Sequence, residues 1–513
     1  MRLFIWCSLT LFLFSCKQNT NTDLAKELGE ISLEVTGKKE AQPAFTEGLL
    51  LMHSFEFKDA ATKFQEAQTI DPDFAMAYWG EAMTHNHPLW REQDKNDALG
   101  ILLKLGATKE LQKEKFKTEL EKDLCAAIHI LYGDGTKKEQ DIAYSEFMGD
   151  LHKKYPDNQE VAAFYALSLL GAVKGGRNYE MYAKGAKIAQ SIIDENPNHP
   201  GALHYLIHSY DDPDNAPKAL DAATRYSKVA PDAAHALHMP SHIYVALGMW
   251  DEVISSNIAS WNASKNRKEK KHLDNDALNY HAFKWQMYGH LQKGEFDKAK
   301  GLVKEMQTYC YEKPSRKATA HLVMMKGAYF NETEQWDDPL LKDSVDYTGL
   351  AIQIDAAYNY SQARCAYHNK DADVISKRIA ALEEKIGLAT NEALTADSNM
   401  CSGGSYGRGR ATQVHVNRAE VMKLEMEALL AMLKSDKNAV EKALKAATEL
   451  EDNTSYAYGP PEIVKPSHEL YAEWLMEQNR FKEAEKYYKK VLDRAPKRLI
   501  VMQGLDKIGQ ISS

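Results

Sequence analysis

Cysteine is scarce, with six in 513 residues, and no two stand at a metal-ligand spacing such as C-x-x-C. A thiolate zinc site of the finger type is therefore excluded. Basic charge is not in excess either: Lys and Arg (64) are outnumbered by Asp and Glu (73), for a net charge of −9, and no long block of either sign occurs. A dedicated nucleic-acid or anionic-membrane surface needs the opposite balance. The motifs of several enzyme classes are absent. No H-E-x-x-H supplies a metalloprotease base, and no G-x-S-x-G supplies an acyl-enzyme serine. The one glycine-rich stretch, GGSYGRGR from Gly403, follows no strand pattern and carries no G-K-[ST], so it is not a phosphate cradle of the usual kind. The apolar run from Leu3 to Phe14 is too short to span a bilayer comfortably.

What is present is repetition. GALHYLIHSY from Gly201 aligns with HALHMPSHIY from His235, so that Ala202, Leu203, His204, His208 and Tyr210 fall on Ala236, Leu237, His238, His242 and Tyr244, a constant offset of 34 residues. FAMAYWGEAM from Phe74 has the small and aromatic residues that pack between paired helices. NYHAFKWQMYGHLQKGEFDKAKGLVKEM from Asn279 and ELYAEWLMEQNRFKEAEKYYKKVLDRAP from Glu469 have the same helix-turn-helix pattern, with alanines at close-packing positions and Pro496 as a stop. With its period of 34 the chain resembles the tetratricopeptide-repeat family, and as a whole it is similar to bacterial lipoproteins of that family. The resemblance implies an all-α solenoid of helical hairpins, in which each unit buries its apolar face against its neighbours. Such solenoids mostly bind other proteins, so the resemblance says little about function.

The chain divides as follows. Arg2, the run from Leu3 and the box Leu13-Phe14-Ser15-Cys16 resemble a bacterial lipoprotein signal over 1–15. That likeness implies lipidation of Cys16 and a place in the bacterial cell envelope, at the outer membrane facing the periplasm; an ordinary secretory signal is the alternative. A tether over 16–40 is expected next, then N-terminal helices (41–110) with a break at Lys58-Asp59, and a degenerate helical region (111–195). Histidine-rich repeats follow (196–310), with a charged break at Lys265 to Lys271. Helical repeats (311–465) contain a long glycine-containing loop at 390–410, and a C-terminal repeat with a capping helix closes the chain (466–513). Once Cys7 and Cys16 are set aside, Cys125, Cys310, Cys365 and Cys401 can form two disulfides by three connectivities, or sit as buried small hydrophobes.

The sharpest chemistry lies in the paired histidines. His204 and His208, like His238 and His242, are four apart and share one helical face. Equivalent positions of stacked repeats lie side by side, so the two pairs are expected to face each other. With Asp211 and Asp212 continuing the first face, the set offers nitrogen and oxygen donors for Zn or Cu. His235 and His281 are nearby groove candidates, and Arg408 and Arg410 can close over an anionic ligand. Pro240 biases Met239 away from helix, which threatens the symmetry by leaving His238 in a loop. Two readings stand. One is a membrane-tethered solenoid that binds a protein, peptide or small molecule in its concave groove, its histidines hydrogen-bonded. The other is a metal-dependent hydrolase or oxidase. His53 and His321 read as satisfied core residues, and His85 and His87 as turn residues.

Overall fold

A computed structural model describes residues 28–90, 92–173, 176–341, 346–395, 411–455 and 459–512. Cys16, Cys401, Arg408, Arg410 and most of the expected 390–410 loop lie outside these. The fold is an all-α, tetratricopeptide-like solenoid of helical hairpins. Among the described residues the only strands are Asn86–His87 and Glu92–Gln93, a two-residue antiparallel ladder where a simple turn was expected.

The hairpins arise from one local device used repeatedly. A helix ends at a residue in the left-handed region, and the next N–H reaches back five residues to a carbonyl, which closes the helix and reverses the chain. This occurs at Phe55, Gly248, Gly294, Lys370, Ser435 and Asn479. The returning bonds, Glu56 to Leu51, Met249 to Tyr244, Glu295 to His290, Asp371 to Ala366, Asp436 to Ala431 and Arg480 to Leu475, all measure 2.8–3.0 Å. Five residues after each turn residue stands Ala60, Val253, Ala299, Ile375, Val440 or Ala484, none more than 1% exposed. The turn and the close-packing position are thus in fixed register, which is what makes these units repeats.

Four expectations change. The first hairpin turns at Ser54 to Glu56, ahead of Lys58-Asp59, because Phe55 takes the left-handed position and Phe57 already starts the helix Phe57–Ile70. Lys265 to Lys271 is no break: Trp250–Lys270 is one helix, and Arg267 and Lys271 both clamp Asp59 of the first hairpin. The helix Ala372–Thr395 runs past Thr390. Within the expected tether, residues 28–40 lie on the solenoid, with Leu28 buried, the Glu30 N–H on the Asn198 carbonyl at 3.0 Å and the Thr36 hydroxyl on the Glu121 carboxylate at 2.8 Å. Cys125, Cys310 and Cys365 are free, and burial pushes the Cys125 thiol up to about 12, so it is an inert small hydrophobe. No helix among the described residues is long and apolar enough to cross a membrane.

Several long-range dockings position the site, among them the Arg177 N–H on the Ser455 hydroxyl at 3.1 Å. The first hairpin folds back on the histidine repeats: the His53 imidazole meets the Tyr205 hydroxyl at 2.8 Å, and the His235 N–H donates to Glu56 at 3.1 Å. Gly201 permits this approach, since a Cβ there would come within 2.4 Å of the His53 ring. At the other end, buried Arg498 reaches Tyr288, Glu332 and Glu469, and the Leu499 N–H donates to Gln292 at 2.9 Å.

Candidate metal centre

The helix Pro200–Ser209 is opened by Pro200 at its first position and by the His199 ring, whose Nδ1 accepts the Ala202 N–H at 3.1 Å. Its i, i+4 spacing stacks His204 on His208 with ring centroids 4.9 Å apart. In the next repeat Met239 keeps helical dihedrals (φ −53°, ψ −39°) between Ala234–His238 and Pro240–Ala246. Pro240 therefore divides the helix without turning it. His238 stays helical and buried, correcting the expectation that it falls in a loop. His238 and His242 stand with centroids 5.1 Å apart.

The two pairs meet along one edge. His208 and His242 lie 5.3 Å apart, ring to ring, and both Nδ1 atoms face the same carboxylate oxygen of Asp211, at 3.4 and 3.1 Å. The helix ends at Ser209, so Asp211 and Asp212 do not extend its face as the spacing suggested; they lie in the turn beyond it. Asp211 enters the site from that turn. Asp212 does not: its carboxylate caps the next turn through Asn215 at 3.0 Å and meets Arg177 at 3.3 Å. Burial alone would raise the Asp211 carboxyl, yet the adjoining Arg177 guanidinium and the two imidazoles hold it well below the usual carboxylate range.

Two three-histidine groups result, His204 with His208 and His235, and His238 with His242 and His281. The Nδ1 partners fix the tautomers. His204 Nδ1 faces the His53 carbonyl at 2.8 Å and must donate. His238 Nδ1 faces the side-chain oxygen of Asn257 at 2.7 Å, and Asn257 cannot be turned round because its amide nitrogen donates to the Val253 carbonyl at 2.7 Å. His208 and His242 donate to the Asp211 carboxylate. The His204, His238 and His242 rings, kept neutral by burial, therefore direct an unprotonated Nε2 away from these partners. Acceptors that hold Nδ1–H and leave Nε2 for a metal are the usual outer shell of a histidine metal site.

The consequence is sharpest at His238 and His242, whose Nε2 atoms stand 3.2 Å apart. Two neutral rings in these tautomers have no proton to put between them, so lone pair faces lone pair. A cation there removes the repulsion, and nitrogen ligands at about 2.0–2.1 Å from a tetrahedral metal are themselves about 3.3–3.4 Å apart. Burial, reinforced by neighbouring imidazoles, holds His204, His235, His238 and His281 well below the ordinary histidine value, and burial also lowers His242. The rings are kept neutral, as metal ligands must be. Aromatic rings cover each group: Phe55 lies 4.3 Å from His204 and 5.4 Å from His235, and Trp285 lies 4.8 Å from His238 and 4.7 Å from His242.

A third group, His53, Glu160 and His199, is closed on itself. Glu160 accepts from His53 at 2.7 Å and from His199 at 3.1 Å, and the remaining Nδ1 atoms accept from Tyr205 and Ala202. Against the pull of burial, the two imidazoles lower the Glu160 carboxyl to about 2. His53 is thus a satisfied core residue, as expected, and buried His321 donates to the Lys317 carbonyl at 2.7 Å.

No family model and no curated protein matches the chain. Solved structures similar to it include the APC/C hetero-tetramer Cut9-Hcn1, at 13% identity over 95% of this chain and 79% of that one, TM-score 0.36. Yeast Tom70 matches at 12% identity over 92% and 89%, TM-score 0.35, and the human IFIT1 dimer with m7Gppp-AAAA at 12% over 97% and 87%, TM-score 0.35. Likeness this weak assigns neither a ligand nor a site residue. The chemistry rests on the side chains of this chain alone.

Arg177, Asn257, Phe55 and Trp285 escape sequence reasoning as site residues. Arg177 and Asn257 come from neighbouring helical units, and no spacing ties them to the histidines. Phe55 had one signal, a bulky aromatic at a turn position where the other hairpins have Gly, Lys, Ser or Asn.

Proposed function

We propose that the protein is a metal-binding solenoid that holds a zinc or copper ion on His238, His242 and His281. The observation that carries this is the 3.2 Å approach of two Nε2 atoms whose Nδ1 partners deny both of them a proton. Three neutral imidazoles without a thiolate suit zinc and copper, and a three-histidine set leaves a fourth position for water or substrate. His281 is half-buried, which favours access from solvent. A metal so held polarises a bound molecule or lowers the pKa of bound water to about 7. This reading favours metal-dependent chemistry over a purely peptide-binding groove.

The test is elemental analysis of purified protein, wild type against H238A/H242A. Retention of about one zinc or copper per chain, lost in the variant while its helical circular dichroism persists, supports the reading; a metal-free wild type that takes up neither ion rejects it.

Anchoring to the bacterial envelope through lipid on Cys16 belongs to the same proposal and rests on the N-terminal sequence. Mass spectrometry of the N-terminal peptide from native membranes, with and without C16S, tests it.

A further inference from the structure

The group formed by His204, His208 and His235 is a second set of three imidazoles, and it is joined to the first. His204 Nε2 lies 3.2 Å from His235 Nε2, again close to a ligand-to-ligand edge. His204 Nδ1 is committed to the His53 carbonyl and His208 Nδ1 to Asp211. The two groups are adjacent: one Asp211 oxygen orients His208 of one and His242 of the other, and His235 and His238 lie 6.3 Å apart, ring to ring. His208, His235 and His281 are the members that retain some exposure, which places solvent access on both groups. By contrast, in the nearby group of His53, Glu160 and His199 every ring nitrogen is spent on a protein partner, as a structural cluster requires.

We infer that the protein binds two first-row metal ions side by side, one on His238, His242 and His281 and one on His204, His208 and His235, as a pair close enough to share one small bridging ligand. The inference rests on the single-ion reading above and adds a second ion, with His235 and His281 as ligands and Asp211 as the common orienting anion. Two ions a few ångströms apart, as in two-metal enzymes with separations of about 3.5–4 Å, clamp a bridging hydroxide or a small oxygen-containing substrate from both sides. All-histidine donors make the pair electrically demanding, because Asp211, the only anion in the shell among the described residues, is already paired with Arg177. An anionic bridge, hydroxide or a small oxyanion, supplies the missing negative charge.

The experiment titrates the metal-free full chain with Cu(II), and separately with Zn(II), and counts bound ions after gel filtration. Two per chain are expected, falling to one in H235Q and to one in H281Q, with unfolding of the metal-free variants monitored to show that both remain folded. Electron paramagnetic resonance of the Cu(II) form is the second reading. Wild type should show well under half of the two-spin intensity, and each single variant should recover about one full spin. One ion per chain in the wild type overturns the pair and leaves the single centre standing. Two ions with full two-spin intensity overturn the shared bridge, and no ions at all removes the single centre as well.

Discussion

Asp211 is the residue on which the histidine chemistry turns. Its one oxygen fixes the tautomers of His208 and His242, and Arg177 keeps it ionised in a buried position. The variant D211N weakens the acceptor and frees Arg177, so zinc affinity should drop about 10–100-fold, as for other partners of metal-bound histidines. Competition titration with a chelating dye measures it; an unchanged affinity contradicts the role. The pH response is also a residue property. His204, His235, His238, His242 and His281 titrate lower in the folded chain than in the unfolded one, where histidine sits near about 6.5. The unfolded state therefore takes up protons first, and the stability these rings contribute is complete above about 6.5 and lost as the pH falls. Ring nitrogen spectra of metal-free protein should show His238 and His242 as neutral Nδ1–H forms at pH 6; imidazolium signals there contradict this.

At the scale of the element, the histidine repeats were legible and their ends were not. The 34-residue offset between Ala202 and Ala236 reports a periodic packing constraint, so it survives in the sequence. Where Pro200–Ser209 stops depends on what Tyr210 and Asp211 meet in space, and that moved both carboxylates off the helical face. Pro240 misled in the opposite direction: with His238 and His242 both packed against Trp285, Met239 stays helical despite the local bias of the residue before proline. The division of the histidines into two groups was also hidden, since His235 and His281 lie outside the i, i+4 pairs. Element contacts make a further prediction. The G201A variant adds a methyl group where the His53 ring, pinned by Tyr205 and Glu160, cannot retreat. Overpacking of this kind costs about 1–3 kcal/mol. Denaturant unfolding should shift accordingly while metal on His238, His242 and His281 is retained; wild-type stability contradicts the close packing.

For the whole molecule, the solenoid is held where distant repeats meet, and two of these places stand out. At the N-terminal one, Arg267 and Lys271 reach Asp59, and Phe55 of the first hairpin packs against His204 and His235. At the C-terminal one, Arg498 is fully buried among Glu332, Glu469 and Tyr288. Nothing in the local pattern around Arg498 announced this, because its partners lie 29, 166 and 210 residues away. R498M leaves Glu332 buried without its cation, while Glu469 keeps Lys465 at 3.1 Å, and a loss of about 3–5 kcal/mol is expected. Amide exchange should accelerate across 466–512 and leave the histidine repeats protected; uniform protection contradicts independent docking of the last repeat.

Crystals of the protein measured at the zinc and copper absorption edges decide whether a metal ion belongs between His238 and His242. An anomalous peak is expected about 2.0–2.1 Å from the Nε2 atoms of His238 and His242 and from a ring nitrogen of His281. Well-ordered rings with no anomalous density between them, in crystals soaked with either ion, would contradict it.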